Sequence, residues 1–195
     1  MLVTEDRLLE ARDPVAVALA AERGGVTAVQ LRLKQASARE LAGIARALVA
    51  ALRIPVLVND RPDVAIAAGA AGVHLGVEDL PVELARRIAP AGFLIGASVG
   101  SESEAASAGS ADYWGIGPWR STATKADAGE ALGAGGFGRL VRLAGERPCL
   151  AIGGVRPEDV RGVSAAGGSG IAVAGGILSE ADVEAAARRY ASAWG

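Results

Sequence analysis

Short apolar runs rich in Val, Ile and Leu recur along this chain. Longer stretches of Ala, Leu, Glu and Arg separate them, with apolar positions every three or four residues. The first pattern predicts buried strands and the second amphipathic helices. Strands are expected at 2–4, 28–32, 55–59, 72–75, 93–97, 113–116, 149–152 and 170–174, and helices at 14–23, 38–52, 81–88, 136–144 and 179–194. Gly24-Gly25, Gly69, Gly109 and Gly167-Gly168 each close an Ala-rich stretch just before a strand, where a left-handed cap is easiest for glycine. Strand and helix therefore alternate, and eight such units point to an α/β fold, a (β/α)₈ TIM barrel forming one domain over residues 1–195. The chain is short beside the about 250 residues typical of that fold, which keeps an open doubly wound sheet as the alternative. No Gly-x-Gly-x-x-Gly opens a helix after the first strand, which weakens a dinucleotide-binding reading.

Composition narrows the function. With 51% hydrophobic and 22% charged residues in 195, the chain is long enough for one substantial core. A net charge of -2 argues against general nucleic-acid affinity, so an anionic ligand has to be met by a few placed cations. No apolar run approaches the about 18 residues of a membrane helix, and Met1-Leu2-Val3-Thr4-Glu5-Asp6 is charged where a signal peptide is apolar, which points to the cytoplasm. Cys149 is the only cysteine and sits in an apolar strand, as a small core residue would. The Ala-rich helices are compatible with a homo-oligomer.

In a barrel the chemistry lies where strands end. Along Val29-Gln30-Leu31-Arg32-Leu33-Lys34 the alternation sets Gln30, Arg32 and Lys34 on one face, expected to point inward, where a bound anion or a neighbouring carboxylate must answer the charges. The next strand ends in Asn59-Asp60. Asp60 alone reads as the cap of a helix starting near Arg61-Pro62, and Asp79, beyond the fourth strand, admits the same reading. Together, beside two cations, the two acids suit Mg²⁺ and a pyrophosphate, because Mg²⁺ takes one or two carboxylates plus phosphate oxygens. His74, the only histidine, lies inside a strand, as a hydrogen-bonded structural residue would. Ser98 ends the fifth strand with its hydroxyl available, since Ser101, with Glu104 three residues on, is the better cap. After the sixth strand, Gly117-Pro118 turns the chain into a hydroxyl-rich run containing Thr122 and Thr124 and ending in Lys125. These are the donors a phosphorylated ligand needs. Gly153-Gly154 and Gly175-Gly176 end the last two strands, where backbone N–H groups make a phosphate site in many barrels.

Gln30-Leu31-Arg32-Leu33-Lys34, Val58-Asn59-Asp60-Arg61, Gly72-Val73-His74-Leu75-Gly76 with Asp79, Gly96-Ala97-Ser98, Gly115-Ile116-Gly117-Pro118 with Thr122-Ala123-Thr124-Lys125, and Ala151-Ile152-Gly153-Gly154 together resemble thiamine phosphate synthase, in order over nearly the whole chain. The opening Leu2-Val3-Thr4-Glu5-Asp6-Arg7 resembles that family's first strand. The resemblance implies a (β/α)₈ transferase that joins hydroxymethylpyrimidine diphosphate to thiazole phosphate with release of pyrophosphate, using Mg²⁺. It also implies roles for residues of this chain: Asp60 and Asp79 for the metal, Arg32, Lys34, Asn59 and Lys125 for the pyrophosphate, Gln30 and Ser98 for the pyrimidine, and Thr122, Thr124 and the amides near Gly154 and Gly175 for the thiazole phosphate.

Three positions depart from that family's pattern. Gly175 stands where a Ser is usual, Trp119-Arg120-Ser121 replaces an aromatic and a Pro and is expected to add a cation at the mouth, and Gly100 stands where a His is common. A sister family, the thiazole tautomerases, carries a catalytic His where this chain has Pro118, which cannot transfer a proton. A barrel that binds phosphate ligands without turnover is the remaining alternative, supported by Gly175 alone.

Overall fold

In the computed structural model, which describes residues 1–121 and 130–194, strands and helices alternate along the chain. β1 (Leu2–Val3) leads through α1 (Asp6–Leu9) and α2 (Pro14–Arg23) to β2 (Val29–Leu31), α3 (Ala38–Ala51), β3 (Val56–Asn59) and α4 (Pro62–Ala68). Then come β4 (Gly72–Leu75), α5 (Val82–Ile88), β5 (Leu94–Val99), α6 (Glu102–Ser107), β6 (Tyr113–Ile116) and α7 (Gly133–Ala144). β7 (Cys149–Ile152), a 3₁₀ turn (Pro157–Asp159), α8 (Val160–Ala165), β8 (Gly170–Ala172), α9 (Gly175–Leu178) and α10 (Val183–Trp194) follow.

The eight strands are parallel and pair in sequence order. A parallel bridge between Leu2 and Val173 brings the last strand back to the first, with Val3 N–H donating to Val173 O (2.9 Å) and Val173 N–H to Met1 O (3.0 Å). The sheet therefore closes as a TIM barrel. Helices cover the outer face of the sheet, which explains the apolar residues that point there. Leu31, Val58, Val73 and Ile95 share one register level and are fully buried. The helices bury one stripe each. In α3 this is Leu41, Ala45 and Leu48, started by a reciprocal cap in which Glu40 N–H donates to Ser37 Oγ (3.3 Å) and Ser37 N–H to Glu40 Oε2 (2.9 Å). Cys149 is fully buried in β7, and burial pushes its thiol up to about 11, as suits a core residue. Among the described residues no helix is long and apolar enough to cross a membrane.

Several elements start or end elsewhere than the sequence suggests, β5 running on to Val99 and α7 starting at Gly133 among them, and two show a clear cause. The second strand stops at Leu31, because Arg32 turns its backbone to a side chain: Thr4 Oγ1 accepts from Arg32 N–H (2.7 Å) and donates to Arg32 O (3.1 Å). The helix expected over 179–194 begins at Val183, where Asp182 Oδ1 accepts the Ala185 N–H at 2.9 Å, and a separate short turn, α9, precedes it.

Candidate active site

Alternation turns every second residue of a barrel strand inward, and from β2 to β5 this inner set is polar toward the C-terminal ends. Gln30, only 3% exposed, donates from Nε2 to Asn59 Oδ1 at 2.6 Å. That bond satisfies a buried amide and fixes which way Asn59 faces. Asn59 Nδ2 then donates to Asp60 Oδ1, while Asp60 N–H donates to His74 O at 2.9 Å. Asp60 holds φ at 64°, a left-handed conformation costly for a residue with a Cβ and frequent at functional sites. Asp60 is therefore no helix cap. α4 starts after Arg61 without any side-chain cap, and the Arg61 guanidinium pairs with Asp63 instead. Asp79 does not cap α5 either: its Oδ2 accepts Gly76 N–H at 2.6 Å, which pulls the β4–α5 loop back toward the mouth.

These bonds bring Asp60 and Asp79 together, with cations from the end of β2 beside them. Lys34 Nζ lies 3.8 Å from Asp60 Oδ2, and Asp6 braces the loop by accepting Lys34 N–H (2.9 Å) and Gln35 N–H (3.2 Å). The electrostatic balance is uneven. Burial, reinforced by a hydrogen bond and like charge from Asp79, raises the Asp60 carboxyl to about 6, against the opposing pull of Lys34 and Arg32. Lys34 is too exposed and too distant to restore the ordinary value. Among the described residues, burial and the neighbouring carboxylate thus outweigh Lys34 and Arg32 at Asp60, the condition a divalent cation relieves. Two carboxylates leave most of an octahedral shell to water and phosphate oxygens, as Mg²⁺ prefers. Among the described residues no group of three or more His, Cys, Asp or Glu forms a protein cage for a metal.

Deeper in the barrel, His74 lies 3.0 Å from the Tyr113 hydroxyl through Nδ1 and 3.0 Å from Ser98 Oγ through Nε2. The imidazole is buried, so it acts as a strut that orients Ser98 at the mouth. Tyr113 fits because Gly96 stands opposite: a Cβ there would lie 2.1 Å from Tyr113 Cζ. Burial raises the Tyr113 phenol above its ordinary value and keeps it neutral. Ser101 caps α6 through Glu104 N–H (3.2 Å) as expected, while the Glu104 carboxylate accepts Gly100 N–H (2.6 Å).

Across the mouth, the chain leaving β6 runs along the end of β7, with Trp119 N–H donating to Ile152 O (2.8 Å) and Arg120 N–H to Gly153 O (2.9 Å). Gly153 and Gly154 both hold positive φ, 89° and 69°, and a Cβ on Gly153 would lie 2.8 Å from Pro118. Arg120 is not the free cation expected from the sequence. Its guanidinium grips Asp159 through two bonds, 2.8 and 2.6 Å long, and Asp159 also accepts Arg156 N–H at 2.9 Å. Trp119 is buried edge-on against Phe137 of α7. Gly154 and Gly175 stand at the ends of neighbouring strands, and among the described residues no protein acceptor takes their N–H groups. Thr122, Thr124 and Lys125 lie outside the described residues.

The structure thus gathers Gln30, Asn59, Asp60, Asp79 and Lys34 on one side of the mouth and Ser98 beside them, bonded to His74. Four further residues brace the site, Thr4, Asp6 and Asp159 at the mouth and Tyr113 deeper in the barrel, and the sequence reading gave none of them a role. Thr4 and Asp6 do carry a signal in the sequence, a hydroxyl and an acid just past the first strand, whereas Asp159 meets Arg120 across 39 residues with no local pattern.

Comparison with known proteins identifies the family. The family model described as thiamine monophosphate synthase matches residues 1–177. The chain is 47% identical over 192 residues to a thiamine-phosphate synthase of Azorhizobium caulinodans, covering 96% of this chain and 90% of that one. It is 42% identical over 198 residues to one of Methanospirillum hungatei, covering 97% and 94%. Among solved structures, a thiamine phosphate pyrophosphorylase from Pyrococcus furiosus superposes with a TM-score of 0.88 at 36% identity, covering 98% of this chain and 93% of that one. On a match of this extent, the chain belongs to the thiamine monophosphate synthase family.

Proposed function

We propose that this chain is a thiamine phosphate synthase, a cytoplasmic transferase that joins hydroxymethylpyrimidine diphosphate to thiazole phosphate and releases pyrophosphate. The observation that carries the reading is the Asp60–Asp79 pair flanked by Lys34 and Arg32 at the mouth of the barrel, where burial and like charge outweigh the two cations. Asp60 and Asp79 would hold Mg²⁺, which supplies positive charge to the departing pyrophosphate oxygens. Arg32, Lys34, Asn59 and Lys125 would bind the same leaving group, offering donors to the charge that develops on it. The methylene carbon–oxygen bond breaks with its electron pair leaving on pyrophosphate. The pyrimidine ring stabilises the resulting cation, and the thiazole nitrogen lone pair closes the new carbon–nitrogen bond. Gln30 and Ser98 hold the pyrimidine, while Thr122, Thr124 and the amides of Gly154 and Gly175 hold the thiazole phosphate. No general base is required, consistent with a buried His74 that is bonded on both ring nitrogens.

The test is pyrophosphate release measured with each substrate alone and with both. The reading predicts release only with both substrates and Mg²⁺. Metal-independent tautomerisation of the thiazole phosphate would assign the chain to the sister chemistry, and tight phosphate-ligand binding without turnover to a binder.

A further inference from the structure

Large apolar side chains are exposed in one place more than elsewhere. Val77, Leu80, Leu84, Ile88 and Leu94 are 57%, 37%, 42%, 53% and 39% exposed. Among the described residues only Leu143 and Trp194 join them as large exposed apolar side chains, so this is a patch rather than scatter. It follows the outside of α5. Leu84 and Ile88 lie one turn apart, Leu80 precedes them by the same spacing in the segment that enters the helix, and Leu94 opens the strand on which α5 packs. Val82 and Ala85, on the opposite side of α5, are buried against the barrel. The stripe is therefore surplus to the fold of one chain.

Its charged flank indicates what covers it. Glu83 and Arg87, four residues apart, run along the same edge of the stripe, the acid toward the start of the helix and the base toward its end. They do not pair with one another: among the described residues Glu83 accepts only the Ser110 hydroxyl (3.2 Å), and Arg87 has no partner. By contrast Arg86, on the inner side, is tied to Asp112 and to Phe93 O. A twofold axis across the helix near Leu84 lays a second α5 antiparallel on the first. Leu80 then faces the other copy's Ile88, Leu84 faces Leu84, and each Glu83 faces an Arg87. The patch is complementary to itself, which is the requirement for an isologous dimer. We propose that this face of α5 is the contact surface between two copies of the chain in a twofold dimer, bordering the β4–α5 loop that carries Asp79.

The experiment is sedimentation equilibrium on the full chain at tens of micromolar, with circular dichroism to check each variant's fold. The native chain is expected to sediment as a dimer, and Leu84→Glu to weaken association by at least about a hundredfold while keeping native helicity and melting. Glu83→Arg and Arg87→Glu should each weaken it by about tenfold, and the double exchange should restore it, because the charges then face one another again. A native monomer, a dimer indifferent to Leu84→Glu, or a double exchange no tighter than either single variant would each overturn the proposal.

Discussion

Two rims of the same barrel mouth handle charge in opposite ways. After β3 and β4, Asp60 and Asp79 crowd together, answered by Arg32 and an exposed Lys34 that stays 3.8 Å away. After β6 and β7, Arg120 holds Asp159 with two short bonds, and a backbone N–H completes the acid's partners. The Asp159 carboxyl is accordingly pulled below its ordinary value, with Arg120 as the main cause, while burial lifts that of Asp60 to about 6. The second rim is what folding favours. The first is something folding tolerates, because an unbalanced acid pair opposes the native state until a ligand supplies the missing charge.

The largest effect should come from the unbalanced rim. Asp60→Ala is expected to cut kcat/KM for pyrophosphate release by at least about a thousandfold, roughly 4 kcal/mol of transition-state stabilisation, and Lys125→Ala by about a hundredfold or more, with thermal unfolding little changed. Asp159→Ala should invert that outcome. It removes a stabilising carboxylate, so stability should fall by about 1–2 kcal/mol in a denaturant titration while activity stays within about tenfold of native. Equal collapse of activity in both variants would erase the distinction between the rims. Ser98→Ala is expected to cost about tenfold, mostly in KM for the pyrimidine substrate, since it removes one hydroxyl and leaves the phosphate ligands in place.

The smallest effect is the most diagnostic of sign. Because the folded carboxyl of Asp60 titrates at about 6, against 3.8 for an ordinary aspartate, the native state holds that proton more tightly than the unfolded chain does. The stability tied to Asp60 is then highest below 3.8 and is lost as pH rises through about 6. Asp60→Asn should therefore stabilise the metal-free protein at neutral pH by about 1 kcal/mol, after discounting for a half-buried group, and hardly at all in acid. Asp159 runs the other way: its contribution is present above the ordinary carboxylate value and is lost as pH falls through its lowered one. Denaturant titrations of Asp60→Asn and Asp159→Ala across pH check both signs, and parallel pH dependence of the two would contradict them.

Much of the fold is legible from local pattern alone. β4, β6 and β7 begin and end where their short, largely apolar runs do, since a strand buried on both faces admits few polar residues. The end of β2 is not legible, because Thr4, just past β1, takes over the backbone of Arg32. The candidate site is half legible. Residue type marks Asp60 and Asp79, but only the left-handed backbone of Asp60, the amide of Asn59 and the loop bond from Gly76 to Asp79 decide against the helix-cap alternative. Arg120 shows the opposite failure: a cation beside a turn looks available until a distant acid claims it.

Calorimetric titration of pyrophosphate tests most directly whether the charges of β2, β3 and β4 serve one ligand. Pyrophosphate is expected to bind the native chain in the presence of Mg²⁺ and at least about a hundredfold more weakly without it, and to lose that dependence on the metal in Asp60→Asn. Equal affinity with and without Mg²⁺, or an Asp60→Asn variant that keeps the native response, would contradict the account.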